Sequence, residues 1–170
     1  MRLPLLIRKV HYWASAAIAL PLLLIIATGL LLHLKKYSHW IQPAEQRGTG
    51  RVPQVSFGRV LEQVAGVPEA GVRGWEDVRR IDVRPGRGML KVWTRSGWEV
   101  QLDAADGRVL QSAYRRSDTL EALHDGSWFH TVVKDWLFLP TGIVLLGLWA
   151  TGVCLFVLPL ARRRASAARR

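Results

Sequence analysis

The sequence predicts a membrane protein of mixed class, a two-helix transmembrane hairpin with a small α+β domain inserted between the helices. Two stretches without a charged residue predict the hairpin, 12–32 and 136–161, of 21 and 26 residues. The third observation lies between them, where the chain turns to ordinary globular sequence with short alternating runs and Gly- and Pro-marked turns.

The spans follow from length. About 20 helical residues cross a bilayer's hydrocarbon core, and 26 cross it with some tilt. A cleavable signal peptide competes for the first stretch. That stretch exceeds the usual apolar length, and His33, Lys35, Lys36 and Tyr37 follow it in place of a small-residue cleavage site. It is therefore expected to be permanent. Arg2, Arg8 and Lys9 precede it, and Arg162, Arg163, Arg164, Arg169 and Arg170 follow the second stretch. Basic flanks are retained in the cytoplasm, which places both termini there. Lys35 and Lys36 oppose this placement, but long translocated segments largely escape the charge rule.

The formal net charge is +11. In a soluble chain that excess suggests nucleic acid. Here the cations flank the spans, so the expected partner is anionic lipid and nucleic acid is not expected. Trp13, Trp40, Trp128 and Trp136 fall where an aromatic belt belongs. The single cysteine, Cys154, excludes an internal disulfide and a thiolate metal cluster. Pro21 inside the first span should kink it. Gly29, Gly142, Gly147 and Gly152 are candidate helix-packing positions, because small residues let helix backbones approach in lipid. Both spans carry the same tripeptide, Ala27-Thr28-Gly29 and Ala150-Thr151-Gly152.

The division of the chain is then: 1–11, basic cytoplasmic N-terminus; 12–34, first span; 35–55, linker; 56–116, folded domain; 117–134, return segment; 135–160, second span; 161–170, basic cytoplasmic tail. Within the domain, Ser56 is placed to cap a helix over 57–64, with Phe57, Val60, Leu61 and Val64 on one face. Alternation predicts strands at 80–83, 89–94, 98–102 and 108–113, separated by turns at 85–88, 96–97 and 103–107. That is an antiparallel meander under one helix, a small core of marginal stability on its own. Asp103 and Asp106 flank the last turn and should cap it. A second short helix is expected over 117–123, broken at Asp125-Gly126.

The segment Leu102-Asp103-Ala104-Ala105-Asp106-Gly107-Arg108-Val109-Leu110 resembles the last hairpin of PepSY domains. The start, Arg8-Lys9-Val10-His11-Tyr12-Trp13 with Pro21 and Ala27-Thr28-Gly29, resembles the first helix of PepSY-associated transmembrane proteins. So do His124-Asp125-Gly126, Leu139-Pro140-Thr141-Gly142 and Trp149-Ala150-Thr151-Gly152 at the end. The resemblance covers nearly the whole chain. It implies a periplasmic PepSY-like module on helices in the bacterial inner membrane. Larger relatives are associated with reduction of ferric siderophores and thought to carry haem b, and PepSY modules have been linked to protease inhibition. This chain has one helix pair, which puts a self-contained transmembrane electron path in doubt.

The five histidines, His11, His33, His39, His124 and His130, all fall at or near span boundaries. Two readings stand. In one, His33 with His130 or His124 binds haem b or a metal ion at the periplasmic face, since haem b takes two axial imidazoles. In the other, they are interfacial rings bonded to headgroups, water or backbone. Carboxylates are scattered, and no nucleophile elbow, Ser-x-x-Lys, His-Glu-x-x-His, flavin or nicotinamide motif occurs. The chain is therefore not expected to be an autonomous enzyme. The leading expectation is an accessory or regulatory subunit whose module docks on another membrane protein or a second copy, using some of Trp75, Trp93 and Trp98 on an exposed sheet face. The alternative is a haem b or metal-binding electron-transfer subunit linked to iron or metal reduction.

Overall fold

The computed structural model describes the backbone of residues 3–167 and the side chains of 5–159. Arg2, Arg169 and Arg170 lie outside the described residues. The chain forms two compact units. One runs to Leu30 and resumes at Glu121; the other is Leu31–Leu120.

The first unit is the helix pair. α1 spans Leu3–His33 and continues through Pro21 without interruption. The second long helix, at the other end of the chain, opens with a turn at Thr131–Val133, passes through a π-helical turn at Lys134–Phe138 and continues as Leu139–Ala167. Their most apolar windows are only 11% and 6% buried within the chain. A helix that is apolar all round and uncovered by protein needs lipid, so these are the membrane spans.

The second unit is the α+β module. α2, Phe57–Ala65, starts where Ser56 accepts a hydrogen bond from the Arg59 N–H at 3.2 Å. Its Val60 and Val64 are buried against the sheet. Phe57 does not join them. It stays 67% exposed and meets Trp75 edge to face, so the first turn of α2 gives its apolar side chain to a surface pair. Strands β1 Val78–Arg84, β2 Met89–Thr94, β3 Trp98–Asp103 and β4 Val109–Tyr114 form an antiparallel meander in sequence order. α3 is Arg116–His124. The second long helix is α4.

One face of the sheet presents Leu90, Val92, Val100 and Leu102 to α2, which forms the apolar core. The opposite face presents Met89, Lys91, Trp93, Glu99, Gln101 and Asp103, and it is closed as well. Part of the segment read as a linker covers it. Gln101 holds the backbone of that segment by its side-chain amide, accepting from Gln46 N–H and donating to the Ala44 carbonyl, each at 2.8 Å. Asp103 accepts from Thr49 N–H and hydroxyl, both at 2.9 Å, from Gly50 N–H at 3.3 Å and from Ala105 N–H at 2.9 Å. Gly48 and Gly50 pass so close to the backbone of Gly88, Ala104 and Ala105 that a Cβ at either position has no room. The glycines that read as flexibility are there for close approach.

The charges on this face are paired. Lys91 is 2% exposed and reaches Glu45 on the covering segment at 2.8 Å. Glu99, wholly buried, takes a charge-assisted bond from Arg115, which also reaches Asp118 at 3.0 Å. Trp93 lies between the Arg80 and Arg115 guanidinium groups, 3.6 and 4.0 Å from its ring centre. The sheet face expected to be open is thus covered by the segment at Lys91, Gln101 and Asp103, while Trp93 is half-buried between two guanidinium groups.

Candidate functional site in the helix pair

Two hydrogen bonds between histidine and threonine join distant parts of the membrane unit. His11 Nδ1 lies 2.9 Å from Thr151 Oγ1, and His124 Nδ1 lies 3.1 Å from Thr28 Oγ1. The repeated tripeptide supplies both threonines. In each case the hydroxyl proton is committed to the helix itself. Thr28 donates to the Leu24 carbonyl at 2.6 Å, and Thr151 to the Gly147 carbonyl at 2.9 Å. A hydroxyl whose proton is spent can only accept, so each imidazole must donate from Nδ1. His124 confirms this independently, because its Nδ1 also lies 3.0 Å from the Ile25 carbonyl, a pure acceptor. The neutral rings therefore carry Nδ1–H and leave a lone pair on Nε2.

The glycine of each tripeptide sits beside the ring. A Cβ on Gly29 would lie 3.2 Å from His124 Cε1, tighter than ordinary packing, and one on Gly152 would lie 3.9 Å from His11 Cε1. Gly142 and Gly147 face open space. Of the four glycines expected at helix contacts, Gly29 makes room for a histidine ring, Gly152 leaves His11 at ordinary van der Waals distance, and a Cβ on either of the other two would meet nothing within 4 Å.

His124-Asp125-Gly126 works as three separate fasteners. His124 bonds α1 as described. Asp125 accepts from Ser127 N–H at 2.9 Å and pairs with Lys134 at 2.6 Å. Gly126, at φ 81°, is pressed against the Phe138 ring. Lys134 and Phe138 are the first and last residues of the π turn, so the loop grips both ends of that turn. Opposite Leu20, Pro21 and Leu24 of α1, Phe129, Leu137 and Phe138 wall an apolar groove of about 470 Å³.

His130 has the reverse tautomer. Its Nδ1 accepts from Val132 N–H at 3.2 Å and caps the first turn of α4, so the neutral ring carries its proton on Nε2. His33 ends α1, and His39 follows in the module unit; both rings are exposed. Cys154 is exposed on α4. Among the described residues no cluster of three or more His, Cys, Asp or Glu side chains is arranged to hold a metal ion. Trp75 is 44% exposed, whereas Trp98 is half-buried, packed on the core and edge-on to Tyr114. The threonine acceptors were missed from sequence as partners of histidine. The tripeptide repeat was the available signal.

Two apolar helices that need lipid, joined through a closed four-stranded module, define a small two-span membrane protein with an inserted α+β domain. The family model for the PepSY-associated TM region matches residues 8–170, and the chain belongs to that family. No curated protein and no solved structure matches it.

Proposed function

We propose that this chain is an accessory protein of the bacterial inner membrane that displays its module in the periplasm to a partner, either another membrane protein or a second copy. The basic flanks of both spans support the orientation. The carrying observation for docking is the Phe57–Trp75 pair. Its ring centres are 6.2 Å apart, and both rings remain exposed, Phe57 at 67% and Trp75 at 44%. Exposed aromatic pairs are the usual anchors of protein interfaces, because burying them on a partner releases much apolar surface at little entropic cost.

A photo-crosslinking residue placed at Trp75 in intact cells should yield a discrete adduct, with none from a probe at the core-packed Trp98. A partner-free Trp75 probe in growing cells refutes this docking surface. Orientation is read separately. In a Cys154→Ser background, a cysteine introduced at exposed Ser96 should react with a membrane-impermeant maleimide added to whole spheroplasts.

The histidine tautomers favour a second reading, haem b binding in an electron-transfer subunit. An axial imidazole ligates through a bare nitrogen while its other nitrogen is held by a hydrogen bond, and His124 meets both conditions. His130 does not offer its Nε2 while it caps α4. Bound haem supplies one-electron chemistry; what the protein's own residues do is fix the ring and its proton. A dithionite-reduced b-type absorption band, lost in His124→Ala, supports this reading, and His33→Ala and His130→Ala test the second ligand. A colourless preparation from haem-replete cells removes it.

A further inference from the structure

At its N-terminal end the helix pair carries a cleft of about 870 Å³. Arg8, Lys9, Tyr12 and Ser15 of α1 form its polar wall, and Leu5 with Leu155 of α4 gives it an apolar surface. The spacing puts the α1 residues on one side of the helix, a turn apart. Neither Arg8 nor Lys9 has an ion-pair partner among the described residues. None is within reach along the helices, because residues 3–44 and 136–167 contain no Asp or Glu. The cleft is thus cationic, uncompensated, and floored by hydrocarbon at the boundary of a membrane span.

These features match a ligand with an anionic head and an apolar tail. We propose that the cleft binds one anionic phospholipid, its phosphodiester against Arg8 and Lys9 and its acyl chain against Leu5 and Leu155. A zwitterionic lipid fits less well, since its own ammonium would be brought into a site with two unpaired cations and no carboxylate. His11 lines the same cleft, and its bond to Thr151 fastens α1 to α4 there. The two walls are therefore set before the lipid arrives, which lowers the ordering cost of binding.

The test uses the full chain in an uncharged detergent, titrated with phosphatidylglycerol brominated in its acyl chain. Bromine quenches nearby indoles, and Trp13 lies one residue from Tyr12. Trp13 lines the adjoining groove, with its ring 5.4 Å from Tyr12 of the cleft, so the saturable quenching that vanishes in Trp13→Phe and depends on Arg8 and Lys9 reports the cleft. Brominated phosphatidylcholine is the comparison. Each basic residue near an anionic lipid contributes about a fivefold preference, so two give about 25-fold for phosphatidylglycerol. Arg8→Gln and Lys9→Gln should each lower the preference about fivefold. The double variant should abolish it, and Arg8→Lys should retain it, which separates charge from misfolding. Excess inorganic phosphate should leave the quenching unchanged. Equal quenching by the two lipids overturns the proposal, as does a preference that survives the double variant. Displacement by inorganic phosphate overturns it too, by showing a site for the free anion.

Discussion

Replacing Asp103 with Ala should detach the covering segment from the polar face of the sheet. The carboxylate is wholly buried and accepts from three backbone N–H groups, those of Thr49, Gly50 and Ala105, as well as from the Thr49 hydroxyl. A buried donor left without its acceptor costs about 1–3 kcal/mol. Thr49 is exposed, so water replaces part of what it loses, whereas Gly50 is buried. Taking about 1 kcal/mol for each of the two segment N–H groups, those of Thr49 and Gly50, at the low end of that range gives about 2 kcal/mol for opening the segment. That corresponds to a roughly thirtyfold rise in its open population. Hydrogen exchange of the Gly48, Thr49 and Gly50 amides in the full chain reads this directly. Asp103→Asn, which keeps one acceptor oxygen, should fall between wild type and Ala. Unchanged protection of these three amides in Asp103→Ala would refute the reasoning.

The same carboxylate makes the segment acid-labile. Burial alone would raise its pKa, but the N–H groups of Ala105 and Thr49, the Thr49 hydroxyl and the Gly50 N–H hold it down to about 2. A folded-state pKa below the unfolded one stabilises the fold fully above the ordinary 3.8 and loses that stabilisation as pH falls toward 2. Glu45, lowered chiefly by its bond from Lys91, acts in the same direction. Protection factors of the amides in 42–50, taken relative to intrinsic exchange at each pH, should therefore fall below about pH 4 before those in β2 and β3 do.

Glu99→Ala removes one carboxylate partner from Arg115 and a more distant one from Lys91, which keep Asp118 and Glu45, and should destabilise the module by about 1.5–3 kcal/mol, measured by denaturant melting of the module's tryptophan signal. Gly126→Ala forces a Cβ into the Phe138 ring at a left-handed backbone position; it should disorder the π turn, seen as faster amide exchange at 134–138 with β2 unchanged. Thr28→Val removes the acceptor of His124 at a cost of about 1 kcal/mol. Nitrogen NMR of His124 should then show a shift in the tautomer balance away from pure Nδ1–H, which the remaining Ile25 carbonyl bond limits.

The spans were legible because lipid imposes a crude, local rule, and an uncharged run of sufficient length satisfies it whatever its neighbours do. The meander was legible for a similar reason. Period-two alternation and glycine turns at 88, 97 and 107 are local, and β2 occupies the predicted residues, with β1, β3, β4 and α2 within two of theirs. Asp106 caps its turn as expected, accepting from Arg108 N–H at 2.9 Å. Family membership was also readable from motifs at both ends of the chain.

What the sequence left open depended on pairs far apart in the chain. Lys91, Trp93, Glu99 and Gln101 alternate like a solvated sheet face, and only the fold puts residues 44–50 on top of them. A run of Gly, Pro, Gln and Thr reads the same whether it hangs free or lies along a sheet, because its backbone bonds go to side chains some fifty positions away. The histidines show this most clearly. Composition fixes the number of rings, and hydropathy places them at the membrane boundary. Which nitrogen holds the proton is set by Thr28 and Ile25 for His124, by Thr151 for His11 and by the Val132 N–H for His130. An imidazole has two nearly equivalent nitrogens, so its chemistry is decided by whichever donor or acceptor the tertiary structure brings beside it.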